Sequence, residues 1–257
     1  MSKNLLKENE RIDDLQLNGL KIIQNKKGFC FGIDAVLLSN FVKIKNNQIA
    51  VDLGTGTGII PLLISEKTNV KNIIAFEIQN EVYDMALRSV KLNNLENKIT
   101  IINDDLNNVE KHIKKNSIDV VISNPPYFTS GGALLNPSDY KAISRHEVMC
   151  TFDDIARNTN YMLKPGGQFF LIHRPHRLVD VICTLRKYKL EPKEIRFVAP
   201  KRGKKPNIML IKASKFGNSE LKFLDPLIVY NDDGTYTDEI FDIYDGVKID
   251  VFDKRGK

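Results

Sequence analysis

The sequence predicts an α/β fold: a mostly parallel sheet with helices on both faces. Three observations carry this. Short apolar runs of strand length alternate with helical patterns from residue 49 onward. A glycine-rich turn, "GTGTG" (54–58), sits between the first such strand and the first such helix. No internal repeat or low-complexity segment interrupts the alternation.

The elements follow in order. "IAVDL" (49–53) is a strand, and "IIPLLISEK" (59–67) is a helix that tolerates Pro61 because it falls in the first turn. "NIIAFE" (72–77) is the second strand. "NEVYDMALRSVKLN" (80–93) places apolar residues 82, 86 and 90 on one helical face. "ITII" (99–102) and "IDVVIS" (118–123) are the third and fourth strands. "TFDDIARNTNYML" (151–163) opens with a capping box, Thr151 and Asp154, and "KPGG" ends the helix. "QFFLIH" (168–173) is the fifth strand, followed by a helix over roughly 176–188. "EIRFVA" (194–199) and "NIMLIKA" (207–213) are two more strands, joined as a hairpin by "PKRGKKP" (200–206). "GFCFGIDAVLLSNFV" (28–42) ends in a helix. The tail holds "PLIVY" and "GTYTDEIFDIY", a candidate strand and helix. One domain (49–215) is expected, with an N-terminal extension (1–48) packing on the cofactor site and an acidic C-terminal extension (216–257).

Composition narrows the class. Of 257 residues, 42% are hydrophobic and 27% charged, ordinary for a globular protein. No apolar run approaches the roughly 20 residues of a membrane span. The N-terminus lacks a signal-peptide layout, so a cytoplasmic location is expected. Cys30, Cys150 and Cys183 form no CxxC pair, and the four histidines no HExxH, so neither a zinc site nor a disulfide framework is expected. Net charge is +6 and uneven. Residues 174–215 hold 13 Lys/Arg against three acids, whereas 216–257 hold five bases against 10 acids. A basic stretch of this size suits a polyanion, or is simply a solvated lysine-rich surface.

"VDLGTGTG" (51–58) ends a strand and opens a helix, where ligands collect in open α/β sheets. Gly54, Gly56 and Gly58 let the backbone turn sharply and approach a ligand, with Thr55 between them. Nineteen residues after Gly58, Glu77 ends the second strand and can accept two ribose hydroxyls. The spacing is G-x-G-x-G rather than the G-x-G-x-x-G of dinucleotide binders, and Asp52 lies just upstream. A carboxylate there repels a pyrophosphate but suits the ammonium group of S-adenosylmethionine. At the third strand end, Asp105, with Asp104 as alternate, can accept an adenine amino group.

"SNPPYF" (123–128) closes the fourth strand. An exocyclic amino nitrogen is a poor nucleophile because its lone pair is delocalised. The Asn124 side-chain oxygen and the Pro125 carbonyl can hold its two N–H bonds. Pro125 and Pro126 stiffen the loop in advance. Tyr127 offers a flat face for an unstacked base, and Phe128 a wall.

"VDLGTGTG", "FE" (76–77), "DD" (104–105) and "SNPPYF" resemble, in order and spacing, the Rossmann-like S-adenosylmethionine-dependent methyltransferases. More narrowly, with "NERIDDLQLNGLKIIQNKKGFCFGIDAVLLSNF" (9–41), "SRHE" (144–147), "PLIVY" and "YTDEI" (236–240), the chain resembles the bacterial tRNA1(Val) adenine-N6 methyltransferases. The resemblance runs over nearly the whole chain. It implies a seven-stranded sheet with an antiparallel last strand. It also implies methyl transfer to N6 of the adenosine 3′ of the anticodon. The family commonly has glycine where Asp104 stands. Phe31, Gly32 and Asp34 lie in the most family-specific segment: Asp34 is expected to face the methionine end of the cofactor, with Asn124 nearby, and Phe31 to line the pocket or pack on the sheet. Arg145, His146 and Glu147 are expected to contact RNA or cover the site. Lys201, Arg202, Lys204 and Lys205 are expected to meet phosphates. A monomer or weak dimer is expected, with neither metal nor membrane. The same tetrad also serves a protein glutamine amide, a guanine N2 or a DNA adenine. An RNA chaperone that binds S-adenosylmethionine or a nucleotide without turnover is the reading outside enzymes.

Overall fold

The computed structural model describes residues 5–27, 31–125 and 150–244. Its centre is an eight-stranded sheet. The strands are β3 (Ile49–Leu53), β4 (Asn72–Phe76), β5 (Ile99–Ile102), β6 (Ile118–Ser123), β7 (Leu163–His173), β8 (Leu190–Ala199), β9 (Ile208–Lys215) and β10 (Lys222–Ile228). Across the sheet the order is β10-β8-β9-β7-β6-β3-β4-β5. All neighbours are parallel except β9, which runs against both β7 and β8. The antiparallel hairpin is therefore where the sequence puts it.

The expected count of seven strands is corrected to eight. The extra strand, β10, pairs parallel with β8 and carries Pro226 beside a register shift. A proline is admissible there because β10 is the edge. Its residues are mostly exposed, so "KFLDPLI" shows neither the continuous apolar run of a central strand nor clean alternation.

The central strands are buried on both faces, which explains their unbroken apolar runs. On one face, Ala50, Ile73, Ala75, Val120, Ile122, Phe170 and Ile172 form a core with helices α1 (Ile33–Phe41), α2 (Ile59–Lys67), α3 (Asn80–Leu92) and α7 (Asp238–Ile243). On the other, Val51, Leu53, Phe76, Val121, Phe169 and Leu171 pack with α4 (Val109–His112), α5 (Phe152–Met162) and α6 (Leu178–Lys187). The period of two along each strand sorts the residues between these layers.

Local rules set the helix starts. In α5, Thr151 Oγ1 accepts the Asp154 N–H at 3.2 Å and Asp154 Oδ2 accepts the Thr151 N–H at 3.0 Å, the anticipated reciprocal cap. Helix α2 begins after Gly58, at φ +87°, with Pro61 in its first turn. Strand β7 starts earlier than expected. "KPGG" lies within it, beside an irregularity in its pairing with β6.

Nothing in the sequence reading anticipates the N-terminal hairpin, β1 (Glu10–Asp14) with β2 (Lys21–Asn25). It docks on α3. Arg88 donates to both Glu10 oxygens at 2.6 and 2.7 Å and to Asp84 at 2.6 Å, and Ser89 Oγ accepts the Ile23 N–H at 2.9 Å. No helix among the described residues is long and apolar enough to cross a membrane.

Candidate active site at the carboxyl edge of the sheet

Strands β6, β3, β4 and β5 are adjacent and parallel, so their carboxyl ends share one edge. The chain leaves β3 toward β4 on one side, while β6 joins on the other. This reversal opens the crevice in which α/β sheets bind ligands.

The glycine turn follows β3. The N–H groups of Gly54 and Thr55 both donate to Phe76 O, at 3.1 and 2.9 Å, folding the turn over the end of β4. Gly54 and Gly56 adopt φ of +75° and +59°, and a Cβ on either would meet nothing within 4 Å. The left-handed backbone demands glycine there, and the space beside the turn is open. Gly58 differs: its Cβ would lie 3.4 Å from Ala86 Cβ, where α2 meets α3.

Glu77 is buried at the end of β4 and bound to the turn. Its Oε2 accepts the Gly56 N–H and its Oε1 the Gln79 N–H, each at 2.9 Å. Burial pushes its carboxyl above the ordinary range, against the backbone N–H groups that pull it down.

Asp52 is the most unusual group. It is 0% exposed, and neither carboxylate oxygen has a hydrogen-bond partner among the described residues. Burial pushes it up to about 7. The Thr55 hydroxyl, close by but outside hydrogen-bonding geometry, pulls the other way, and the Glu77 charge adds to the rise. A desolvated, unpartnered acid is costly unless a cation meets it. S-adenosylmethionine supplies an ammonium, a sulfonium and a ribose diol. Asp52, Glu77 and the open glycine turn fit that donor set. A pyrophosphate would meet two carboxylates.

The end of β5 separates the two candidate acids. Asp104 is held within its own loop: Oδ2 faces His112 Nε2 at 2.7 Å, and Oδ1 accepts Asn108 Nδ2 and the Asp105 N–H, each at 2.8 Å. The His112 bond, with Asn108 behind it, keeps its carboxyl down at about 2. Asp105 caps the following turn through one oxygen, with Oδ1 accepting the Asn107 N–H at 2.8 Å. These bonds favour Asp105 as the acceptor that meets a ligand. Between β4 and β5, Asn103 Nδ2 donates to Glu77 O at 2.9 Å and Ile78 O at 3.2 Å. Ile78 itself is 37% exposed. This apolar side chain beside Glu77 is suited to cover one face of a purine. The sequence reading missed it, although an aliphatic directly after a strand-ending acid is a usable signal.

Asn124 and Pro125 emerge from β6 beside the glycine turn, since Ser123 pairs with Leu53 and its Oγ donates to Leu53 O at 3.0 Å. Asn124 is half-buried and Pro125 buried. Pro126, Tyr127, Phe128, Arg145, His146 and Glu147 lie outside the described residues. Phe31 and Asp34 sit at the start of α1. Phe31 packs against the core, its N–H donating to Gln24 Oε1 at 3.2 Å. Strand β8 is parallel to β7, both being antiparallel to β9, so the exposed loop of Lys201, Arg202, Lys204 and Lys205 lies on this same edge.

This fold and this acid-lined glycine turn define a methyltransferase of the α/β class with S-adenosylmethionine as its cofactor. The model of the methyltransferase small domain matches residues 32–188, and the chain belongs to that family. Curated relatives are named tRNA1(Val) (adenine(37)-N6)-methyltransferase. One from Phocaeicola vulgatus is 29% identical over 185 residues, covering 72% of this chain and 76% of its own. Another, from Flavobacterium johnsoniae, is 23% identical over 237 residues, covering 89% and 96%. Among solved structures, a predicted O-methyltransferase from Agrobacterium tumefaciens superposes with a TM-score of 0.67 at 24% identity, over 83% of this chain and 96% of that one. Geranyl diphosphate C-methyltransferase from Streptomyces coelicolor, in complex with S-adenosyl-L-homocysteine, gives 0.53 at 10% identity over 71% and 80%. These two likenesses carry the fold alone.

Proposed function

We propose that this methyltransferase modifies the exocyclic N6 of an adenosine in tRNA, the adenosine 3′ of the anticodon of tRNA1(Val). The observation that carries the reading is Asn124-Pro125 at the end of β6, directly beside the Gly54 turn. The names of the relatives and the basic loop on the same edge support RNA as the substrate.

The cofactor supplies an electrophilic methyl group on a sulfonium. Asp52 meets the cationic methionine end, Glu77 the ribose hydroxyls, and Asp105 the adenine amino group of the cofactor. Asn124 Oδ1 accepts one N–H of the target amine and the Pro125 carbonyl the other. Two fixed acceptors favour a pyramidal nitrogen with its lone pair directed at the donor, and little rearrangement remains for the reaction. Tyr127 stacks on the base. The amine becomes acidic as it is alkylated, so its proton passes to water without a strong protein base. Residues 1–48 serve as an extension over the cofactor site and residues 216–257 as a second extension, around a domain at 49–215.

The test is methyl transfer from labelled S-adenosylmethionine to unmodified tRNA, followed by digestion to nucleosides and mass spectrometry. N6-methyladenosine at the position after the anticodon is expected. Label found only on protein glutamine would overturn the RNA reading.

A further inference from the structure

We infer that the carboxyl edge of the sheet is divided by charge at β6, and that Arg174 and Arg177 anchor phosphates of the RNA strand flanking the target nucleotide. The inference rests on the RNA reading above and adds to it a location and a direction.

The cofactor half of the edge, from β3 to β5, carries Asp52, Glu77, Asp104 and Asp105. The other half begins at β7, hydrogen-bonded to β6 with Leu171 opposite Ser123. "HRPHR" (173–177) emerges there, about 5 Å sideways from the end of β6. Arg174 Nη1 donates to Asn207 O at 3.0 Å, which joins this turn to the start of β9. The loop of Lys201, Arg202, Lys204 and Lys205 follows at the end of β8, three strand spacings or about 14 Å from β6. Among the described residues, the acids on this half are Asp180, which accepts from the largely buried Arg177 through Nε at 2.8 Å, Asp232 and Asp233 beside Lys201, and Asp238 and Glu239 in the first turn of α7, just past the end of β10.

The remaining bases of the 174–215 segment serve elsewhere. Lys215 is buried and donates to Asn116 Oδ1 at 2.7 Å and Leu163 O at 2.9 Å. Lys212 pairs with Glu194, Lys187 with Asp153, Arg186 with Glu191 and Arg196 with Glu239, Lys193 donates to Asn218 O at 3.0 Å, and Lys189 precedes β8 at the opposite, amino edge. The charge excess is thus gathered on one edge, beside the point where Asn124 emerges.

The turn is also rigid. His173 is buried, its Nδ1 accepts the Arg174 N–H at 2.8 Å, and Phe152 packs edge-on against its ring. A guanidinium on a fixed base loses little freedom on binding, and its planar fork matches a phosphate better than an ammonium does. At about 3.4 Å per nucleotide for a stacked strand, and more for an extended one, about 14 Å corresponds to at most about four nucleotides. The flanking strand therefore runs from the target across β7 and β9 to the basic loop, away from the cofactor half.

The experiment measures affinity for unmodified tRNA over a salt series, with S-adenosylmethionine affinity measured in parallel. It compares wild type, Arg174→Gln/Arg177→Gln, Lys201→Glu/Arg202→Glu, and Lys222→Glu. Lys222 begins β10 on the opposite edge and serves as the control. Each edge variant is expected to weaken tRNA binding at least tenfold and to flatten the log–log salt slope by about 0.7 to 0.9 per cation removed. S-adenosylmethionine affinity and the Lys222 variant should match wild type. If the arginine variant loses S-adenosylmethionine binding as well, His176→Glu, at an exposed position of the same turn, decides on the same readouts. Edge variants with wild-type slopes would overturn this inference alone. A wild-type protein without salt-dependent tRNA binding would overturn the RNA reading itself.

Discussion

Replacing Asp52 by asparagine tests the physical core of the cofactor site. An unfolded aspartate releases its proton near 3.8, whereas burial holds Asp52 protonated up to about 7. Between these values the folded protein binds the extra proton, so stability falls as pH rises from about 4 to 7 and levels off above. At 1.36 kcal/mol per pKa unit, the loss reaches roughly 4 kcal/mol as a ceiling. The amide leaves an unpaired buried N–H group in place of the carboxylate, at about 1–3 kcal/mol. Asp52→Asn should therefore melt a few degrees above wild type at pH 8, at about 2–4 °C per kcal/mol for a chain of this size. Near pH 5 the two should converge or the variant fall slightly below. Glu77, also raised by burial, leaves the variant a smaller slope of the same sign. Binding of the cationic cofactor has the opposite pH dependence, because it favours the ionised acid. Wild-type affinity for S-adenosylmethionine should improve as pH rises toward 7, and the variant should bind weakly with little pH dependence. Melting curves from pH 5 to 8, with titration calorimetry of S-adenosylmethionine, measure both. Identical pH slopes in the two proteins, or undiminished cofactor affinity in the variant, would refute the reasoning.

Other substitutions probe the remaining parts. Asn124→Ala should lower kcat by about 10² to 10³ while changing S-adenosylmethionine affinity only severalfold, since a fixed acceptor is lost; single-turnover kinetics would expose a wild-type rate. Asp105→Ala should weaken S-adenosylmethionine binding by about tenfold, the loss of one hydrogen bond to a charged group. Asp104→Ala should leave that affinity within severalfold, and the reverse ranking in calorimetry would exchange the two roles. Gly58→Val should destabilise the fold by about 2 kcal/mol or more, because it combines φ +87° with a Cβ 3.4 Å from Ala86. A thermal melt equal to wild type would contradict that packing.

The sequence by itself determined the strand–helix alternation, the cap of α5, the start of α2 after Gly58 and the antiparallel hairpin of β8 and β9. These follow from short-range periodicity, capping chemistry and glycine conformation, all local along the chain. It also marked the strand ends that bear Asp52, Glu77, Asp105 and Asn124, because acids, glycines and prolines interrupt otherwise apolar runs. Only the tertiary structure decided what depends on pairing between distant segments. The hairpin of β1 and β2 is visible only through its partners, Arg88 and Ser89 of α3, and although "PLIVY" marked a candidate strand, its earlier start at Lys222 and its parallel pairing as an edge strand on β8 were not legible in the sequence. The bond that occupies Asp104 comes from His112, eight residues beyond it, and so is not legible at the "DD" pair itself. The basic segment reads as one block in sequence. In space Lys215 is buried among backbone carbonyls, while Arg174 and Lys201 share an edge with Asn124. Strand direction sorts them, because bases at opposite ends of one strand reach opposite edges of the sheet, and linear charge counting carries no record of direction.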